Sequence, residues 1–275
     1  MAPSPISAVE HPRVRAWLEI RDPLERQLAP LGEAVLGALA LRPGERVLDV
    51  GCGIGRTPWR LAEAVGPAGR VTGVDLLPAA LAVAEADPDL PANVDFLCGD
   101  AAVLAFEPGA VDAVFSRFGV MFFEAPERAF DNLRRALRPG GRIGFVCWRG
   151  LADNELDSFP LTAASPHLPA ELTAGTQATG WFSFSDPERI RSVLGQAGLE
   201  QIEVRPHDAL VGSGDLAGMV AVCSRVGALG AILREHPEFA DKAASALEQA
   251  LRALDGPGGP HLRAATWVVT ARRPA

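Results

Sequence analysis

The sequence predicts an α/β protein with a parallel β-sheet that helices cover on both faces. Short apolar segments typical of buried strands recur between residues 46 and 148, and segments with helical apolar spacing separate them. Strands that are connected through helices run parallel, and both faces of such a sheet are buried. With 275 residues and 48% hydrophobic residues, the chain is long enough for one large domain or two small ones.

The elements of the first half alternate regularly. The last predicted helix there begins at Pro126, places Ala129, Phe130 and Leu133 on one face, and ends at Gly140–Gly141. The predicted strands are 46–50, 71–75, 94–98, 111–116 and 142–148, and the other predicted helices are 31–40, 57–65 and 78–86.

The alternation stops after Trp148. Residues 149–186 are irregular, and a helix then begins at Pro187 after a cap by Ser185 or Asp186 and ends at Gly198. The remaining predicted elements are a strand at 201–205, helical stretches at 215–233 and 237–254, and a final strand at 266–272.

These elements divide the chain into an arm, a core and two additions to it. The divisions are an N-terminal arm 1–30, a core 31–148, a cap segment 149–186, a core helix and strand 187–205, a helical insertion 206–262 and a final strand 263–275. An apolar helix face must bury itself against something. We therefore expect both additions to cover the carboxyl edge of the sheet; the alternative is an insertion that packs on a distant face as a dimerisation element.

Charge and cysteine content exclude several classes of protein. The 26 basic and 34 acidic residues give a net charge of −8, and Lys242 is the only lysine, so a nucleic-acid partner is not expected. Four widely spaced cysteines without a CxxC pair argue against a disulfide framework or a zinc site, and no histidine spacing predicts a metal. No signal peptide and no membrane span are predicted, so we expect a cytoplasmic protein.

The most informative segment is VLDVGCGIGR, residues 47–56. A strand carries Asp49 and is followed by Gly51, Gly53 and Gly55, which let the backbone turn sharply and approach a ligand closely. A dinucleotide-binding GxGxxG would need its third glycine at position 56, which is Arg56, and this argues against a nicotinamide cofactor. The alternative is a tight turn between strand and helix without a ligand.

Two further carboxylates follow the next two strands. Asp75 can accept hydrogen bonds from both hydroxyls of a ribose, and Asp100 can accept one from an adenine amino group beside the N–H of Ala101. Each could instead be a cap of the following helix or loop.

Together these segments resemble the class I S-adenosylmethionine-dependent methyltransferases. The matching stretches are VLDVGCGIG, VTGVDLLPAAL, NVDFLCGDA, VDAVFSRFGVMFF and LRRALRPGGRIGFVCW, in the family's order over about residues 42–148. The last of these is typical of small-molecule enzymes similar to the quinone-biosynthesis methyltransferases. The resemblance implies a Rossmann-like, seven-stranded sheet with an antiparallel last strand and a largely helical cap. It also implies S-adenosyl-L-methionine as cofactor and S-adenosyl-L-homocysteine as product.

The resemblance also implies roles for individual residues. Asp49 would order the loop near the methionine amino group, Asp75 would bind the ribose with Leu76 against the adenine, and Asp100 with Ala101 would read the adenine. The residues assigned to the methionine and ribose portions are Gly51, Gly53, Gly55, Ser116 and Arg117. Arg117 could instead bind a substrate anion or pair structurally with Asp49 or Glu124.

The acceptor is expected to be a small, largely apolar metabolite methylated on O, N or C. Its predicted contacts are Phe118, Met121, Trp148, Asn154 and Trp181, while Phe122 and Phe123 are expected in the core. His167 is the first candidate for a general base. A nicotinamide-dependent oxidoreductase, an aminopropyl transferase and a non-catalytic S-adenosylmethionine-binding module remain as alternatives, and a homodimer is left open.

Overall fold

A seven-stranded sheet forms the centre of the computed structural model, which describes residues 12–174 and 180–275. The strand order is β3-β2-β1-β4-β5-β7-β6, and β7 is antiparallel to both of its neighbours while the other pairs are parallel. This confirms the predicted sheet and its antiparallel last strand. The strands are β1 Arg46–Val50, β2 Arg70–Asp75, β3 Val94–Cys98, β4 Val111–Arg117, β5 Leu137–Trp148, β6 Glu200–Gly212 and β7 His261–Arg272.

Helices cover both faces of the sheet, as neighbouring residues of β5 show. Side chains alternate between the two faces of a strand. A Cβ on Gly144 would lie 2.7 Å from Leu39 on the first helix, whereas the next residue, Phe145, packs against Phe130 on the other face. The helices are α1 Pro12–Leu39, α2 Arg56–Val65, α3 Pro78–Glu85, α4 Pro126–Ala136, α5 Glu155–Ala164, α6 Ala170–Ala174, α7 Pro187–Gln196, α8 Leu216–Cys223, α9 Gly227–Glu235 and α10 Ala240–Arg252.

Helix α1 is longer than the sequence predicts. It runs without interruption from Pro12 to Leu39, so position 30 is not a boundary between an arm and a helix, and residues 1–11 lie outside the described part. Pro23 and Pro30 both lie inside it. The helix persists because Ile20, Leu31 and Val35 are buried, and tertiary packing offsets the cost of the two prolines.

Strands β6 and β7 also exceed their predicted lengths. Their pairing continues to Gly212 opposite His261, whereas β5 ends at Trp148 opposite Thr266. At about 3.3 Å per residue, the five residues beyond Thr266, up to His261, extend this hairpin roughly 17 Å beyond the carboxyl end of β5. The insertion 213–260 connects the tips of the hairpin, and its helices therefore lie on the carboxyl side of the sheet.

The helices of the two additions pack against one another. Helix α5 contacts α9, α10 and β7, and α8 contacts α1 and α10, while residues 175–179 of the expected cap segment lie outside the described residues. The predicted helix 215–233 is in fact two helices, broken before Gly227, which has a φ of +74°. Within the described ranges no single helix is long and apolar enough to cross a membrane; α8 and α9 meet that criterion only as a pair bent by 61°.

Candidate functional site

Asp49 lies in β1 and is completely buried beneath the glycine turn. Thr57 on α2 donates a hydrogen bond to its Oδ2, while Oδ1 has no partner among the described residues. Burial raises the pKa of Asp49 to about 7, the charge of Asp75 adds to that rise, and the Thr57 hydrogen bond and the charge of Arg117 oppose it. A buried carboxylate oxygen without a partner is costly, so Asp49 fits a ligand that brings a donor.

The glycine turn has the conformation that its sequence predicts. Gly51, Gly53 and Gly55 have φ values of +78°, +55° and +87°, which L side chains rarely adopt. A Cβ on Gly51 would lie 2.8 Å from the Cα of Gly119, the backbone that follows β4. The turn therefore presents bare backbone at the carboxyl edge, and a side chain at Gly51 has no room.

Asp75 ends β2 and organises the glycine turn. Its Oδ2 accepts a hydrogen bond from the N–H of Gly53 and its Oδ1 accepts one from Leu77, each at 2.9 Å. A carboxylate has about four acceptor positions, so about two remain for a ligand. The neighbouring Leu76 is 69% exposed and offers an uncovered apolar surface next to them.

Asp100 follows β3 and has the alternative role that the sequence left open. Its Oδ1 accepts a hydrogen bond from the N–H of Ala102 at 2.8 Å, so it caps its own loop. Ala101 is buried, and its carbonyl accepts from Asn132 at 3.0 Å. A role in adenine recognition stays a prediction for this pair.

Ser116 fastens the end of β4 to the end of β1. Its hydroxyl donates to the carbonyl of Val50 at 2.7 Å and accepts from the N–H groups of Gly119 and Val120 at 3.2 and 3.3 Å. One donor and two acceptor positions are all that a hydroxyl has. The side chain of Ser116 therefore builds the site and has no hydrogen-bonding position left for a ligand.

Arg117 forms a bidentate ion pair with a residue that the sequence analysis missed. Its Nη1 and Nη2 donate to the two carboxylate oxygens of Glu25 on α1 at 2.8 and 2.7 Å. The alternative prediction that Arg117 forms a structural ion pair is thus correct, but both predicted partners, Asp49 and Glu124, are wrong. The available signal was the spacing of Glu19, Asp22 and Glu25, which places three carboxylates along one side of α1.

Aromatic side chains lie beyond Arg117. Phe118 has a φ of +61°, an uncommon conformation for a bulky residue, and stacks on Trp148 with ring centroids 4.2 Å apart. Both rings are buried, as is Met121, whose carbonyl accepts a hydrogen bond from Ser183 at 2.5 Å. Phe118 and Trp148 join the carboxyl ends of β4 and β5, and strain of this kind is common at functional sites.

Phe122 is 50% exposed and meets Trp181 edge-on, so the expectation of a core position for it is wrong. It lies in a 3₁₀ turn, Val120–Phe122, whose other two residues fill the interior. Phe123 is half-buried against Phe130.

Two predicted residues have positions that do not join this site through described contacts. Asn154 is fully buried, and its amide bonds the carbonyls of Arg149 and Gly150 and the N–H of Ala265, so it fixes the chain that leaves β5. His167 is exposed on a 3₁₀ turn that packs against α5 and α10, and it has no hydrogen bond or ion pair to another described residue.

The described side chains include no group of three metal-ligating residues. The arrangement at the carboxyl edge is instead a glycine turn bordered by Asp49 and Asp75, with Arg117 and a stacked aromatic pair beside it. Fold and site together define a Rossmann-like α/β protein whose carboxyl edge presents acceptors for a ligand with hydroxyl and amino groups.

Comparison with known proteins agrees with this architecture. Residues 47–141 match the model of a methyltransferase domain family. The chain is 31% identical over 174 residues to an arsenite methyltransferase of Halobacterium salinarum, covering 62% of this chain but 41% of that protein. It is 27% identical over 198 residues to a demethylmenaquinone methyltransferase of Lactococcus lactis, covering 66% of this chain and 75% of that protein.

A solved structure shares the fold along nearly the whole chain. Phosphoethanolamine N-methyltransferase 2 of Haemonchus contortus, in complex with phosphomonomethylethanolamine and S-adenosylhomocysteine, superposes with a TM-score of 0.60 at 19% identity, over 99% of this chain and 61% of that one. Residues 47–141 thus form a methyltransferase domain, and the chain as a whole is similar to class I S-adenosylmethionine-dependent methyltransferases.

Proposed function

We propose that the protein transfers a methyl group from S-adenosyl-L-methionine to a small, largely apolar metabolite. The observation that carries the proposal is the paired geometry of Asp49 and Asp75 around the glycine turn. Asp49 has a buried oxygen without a partner, and Asp75 has acceptor positions left beside an exposed Leu76. An amino acid ammonium and a ribose supply the donors that these two carboxylates need.

Each residue has a defined part in binding and alignment. Asp49 would accept from the amino group of the cofactor, Asp75 from its ribose hydroxyls, and Leu76 would contact its base. When bound, S-adenosylmethionine supplies a methyl group that is already activated on a sulfonium. The chain then has to align the acceptor and exclude water, and alignment alone contributes roughly 7–11 kcal/mol in favourable cases.

The acceptor side is apolar, and this favours an apolar acceptor over arsenite. Trivalent arsenic is a soft ion that requires thiolate ligands. Cys52, Cys147 and Cys223 are buried, and burial raises the pKa of each thiol, to about 12 for Cys223. Cys98 is the one exposed cysteine of the four, so no cluster of reactive thiols can form. The half-exposed Phe122, which meets Trp181 edge-on, instead offers apolar aromatic contact.

The additions after β5 would complete the acceptor pocket. The hairpin β6–β7 places α8, α9 and α10 on the carboxyl side, and Arg225, between α8 and α9, pairs with Glu19 of α1 at 3.3 Å. One turn further along α1, Asp22 pairs with Arg56, the first residue after the glycine turn, at 3.0 Å. We therefore place the cap over the acceptor; His167 lies on this cap, but it is exposed and has no described partner that would orient it as a base.

Binding and turnover can be tested separately. Calorimetry should show that S-adenosylhomocysteine binds the wild-type protein and that NADH does not. Asp75→Asn should weaken that binding about tenfold or more, because charge-assisted hydrogen bonds are lost. The matched control is Asp95→Asn, which removes a carboxylate paired with Arg70 on the surface of the same sheet and should leave affinity unchanged.

The outcomes separate the alternatives. Binding of NADH in place of S-adenosylhomocysteine would indicate the oxidoreductase, and unchanged affinity in folded Asp75→Asn would overturn the assignment of Asp75. Incubation with labelled S-adenosylmethionine and a panel of quinols, phenols and prenyl compounds should give a labelled product. Tight binding without product from any extract or panel would support the non-catalytic module.

A further inference from the structure

Helix α1 contacts both the guanidinium group and the aliphatic stem of Arg117. The guanidinium pairs with Glu25, and the stem lies against Gly32, where a Cβ would approach the Cδ of Arg117 to 3.0 Å. Glu25 and Gly32 are seven residues apart, which is about two turns, so they lie on the same face of the helix. Gly32 leaves the space for the stem and Glu25 binds the head.

Gly32 lowers the stability of helix α1, and its presence there requires an explanation. A glycine inside a helix is less favourable than alanine. Gly37 in the same helix has open space around its Cα, whereas Gly32 is where Arg117 passes. The side chain of Arg117 is 13% exposed, so it is fixed between α1 and the end of β4 rather than free in solvent.

We propose that Glu25 and Gly32 are positioning residues: they hold Arg117 beside Asp49, and this placement sets the charge that Asp49 presents to the ammonium group of a bound amino acid. The inference rests on the proposed function for the identity of that ligand. It assigns to α1, which lies outside the matched domain, a role in the cofactor site. Arg117 acts here through Asp49, and Glu25 and Gly32 act through Arg117.

The groups that face Asp49 define how this works. They are the guanidinium of Arg117 on β4, the carboxylate of Asp75 on β2, the hydroxyl of Thr57 on α2 and the thiol of Cys52 in the turn. Arg117 is the one cation among them: it lies on β4 two residues beyond Phe115, the residue that pairs with Asp49 of β1, and therefore on the same face of the sheet. Its charge lowers the pKa of Asp49. If Arg117 moves away, that pKa rises and less of the carboxylate is ionised near neutral pH.

The direction in which the pKa of Asp49 changes in Glu25→Gln distinguishes a positioning role of Glu25 from a direct electrostatic effect of its charge. Glu25→Gln frees Arg117 to leave, so the pKa of Asp49 should rise. If Glu25 instead acted on Asp49 only through its own negative charge, its removal would lower that pKa. A purely structural role of Glu25 would change stability and leave the titration of Asp49 where it is.

The experiment is a carboxyl ¹³C NMR titration of Asp49, assigned with Asp49→Asn. In Glu25→Gln we expect the acid dissociation constant of Asp49 to fall about tenfold. Gly32→Ala should change it in the same direction, because the added methyl displaces Arg117, and it provides the test if Glu25→Gln does not fold. Gly37→Ala is the matched control and should leave the titration unchanged.

Calorimetry gives a second readout. The affinity of Glu25→Gln for S-adenosylhomocysteine should be about fivefold below wild type at about pH 7 and should approach wild type by about pH 8.5. In an Arg117→Gln background, Glu25→Gln should have no further effect. An unchanged or lowered pKa of Asp49 in Glu25→Gln, or an equal change in Gly37→Ala, overturns the inference. A wild-type protein that fails to bind S-adenosylhomocysteine contradicts the proposed function instead, and the titration still decides this one.

Discussion

The two halves of the sheet end in different kinds of side chain. The carboxyl ends of β1, β2 and β4 carry Asp49, Asp75 and Arg117, whereas β5 ends in Trp148, stacked on Phe118. In the first half Asp75 accepts a hydrogen bond from the glycine turn, Asp49 accepts one from Thr57 and Arg117 pairs with Glu25. The second half continues into a hairpin that carries helices. The polar groups for ligand binding therefore lie on one half of the carboxyl edge and a buried aromatic pair on the other, with β4 between them.

We call the carboxyl ends of β1, β2 and β4, with the glycine turn, the polar half of the sheet edge. The largest loss of cofactor affinity is expected when a side chain is added to the glycine turn in this half. Gly51→Ala places a Cβ at a φ of +78° and within 2.8 Å of the Cα of Gly119. Strain and the backbone clash together should cost about 3 kcal/mol, which is about 100-fold in affinity for S-adenosylhomocysteine. Gly44→Ala is the control, because Gly44 has a φ of +87° but open space around it. Equal loss of affinity in both variants would show that the clash is not the cause.

The raised pKa of Asp49 predicts a pH dependence of the protein's stability. This pKa is raised from 3.8 to about 7 by burial, so between these values the folded protein binds a proton that the unfolded chain has released. The contribution of Asp49 to stability therefore decreases as the pH rises from about 4 to 7. Between about pH 5 and 7.5 this amounts to about 2 kcal/mol.

Asp49→Asn should remove that part of the pH dependence. The measurement is the free energy of unfolding by urea at several pH values, with Asp95→Asn as the control because its carboxylate is half-exposed. If wild type and Asp49→Asn show parallel pH profiles, Asp49 has no raised pKa and the electrostatic account of the site is wrong.

The packing of the helical insertion against α5 can be weakened without a change in cofactor affinity. Asp157 on α5 accepts a hydrogen bond from the N–H of Ala228 at the start of α9 at 2.9 Å, and burial raises the pKa of its carboxyl group. Asp157→Ala should lower the free energy of unfolding by about 1–2 kcal/mol, as loss of a helix cap typically does. Affinity for S-adenosylhomocysteine should stay within twofold of wild type, and a parallel loss of affinity would show that the two halves are coupled through the insertion.

The smallest effect is expected at His167. Its imidazole is exposed and has no described partner that would orient it as a base. We expect His167→Ala to change turnover by less than threefold once an acceptor is known. A loss of about 100-fold with unchanged cofactor affinity would establish it as the general base that the sequence suggested.

The polar half could be predicted from sequence because its signals are local. The strand, the turn and Asp49 lie within the ten residues 47–56, and the glycines can be identified by the conformation that only they tolerate. Burial then follows from the apolar runs of the strands. The hydrogen bond from Leu77 to Asp75 is equally local, whereas the one from Gly53 spans 22 positions and follows from the pairing of β1 with β2.

Other features depended on contacts between distant segments. Arg117 meets Glu25 across 92 positions, β6 and β7 lengthen by pairing with each other, and α1 remains one helix through Pro23 and Pro30 because its apolar face is buried. Sequence alone thus determined the sheet, the glycine turn and the carboxylates at its edge, since each is set by backbone conformation and nearby burial. The tertiary structure decided which side chains those groups meet, because a partner is chosen by proximity in space, which local spacing does not encode.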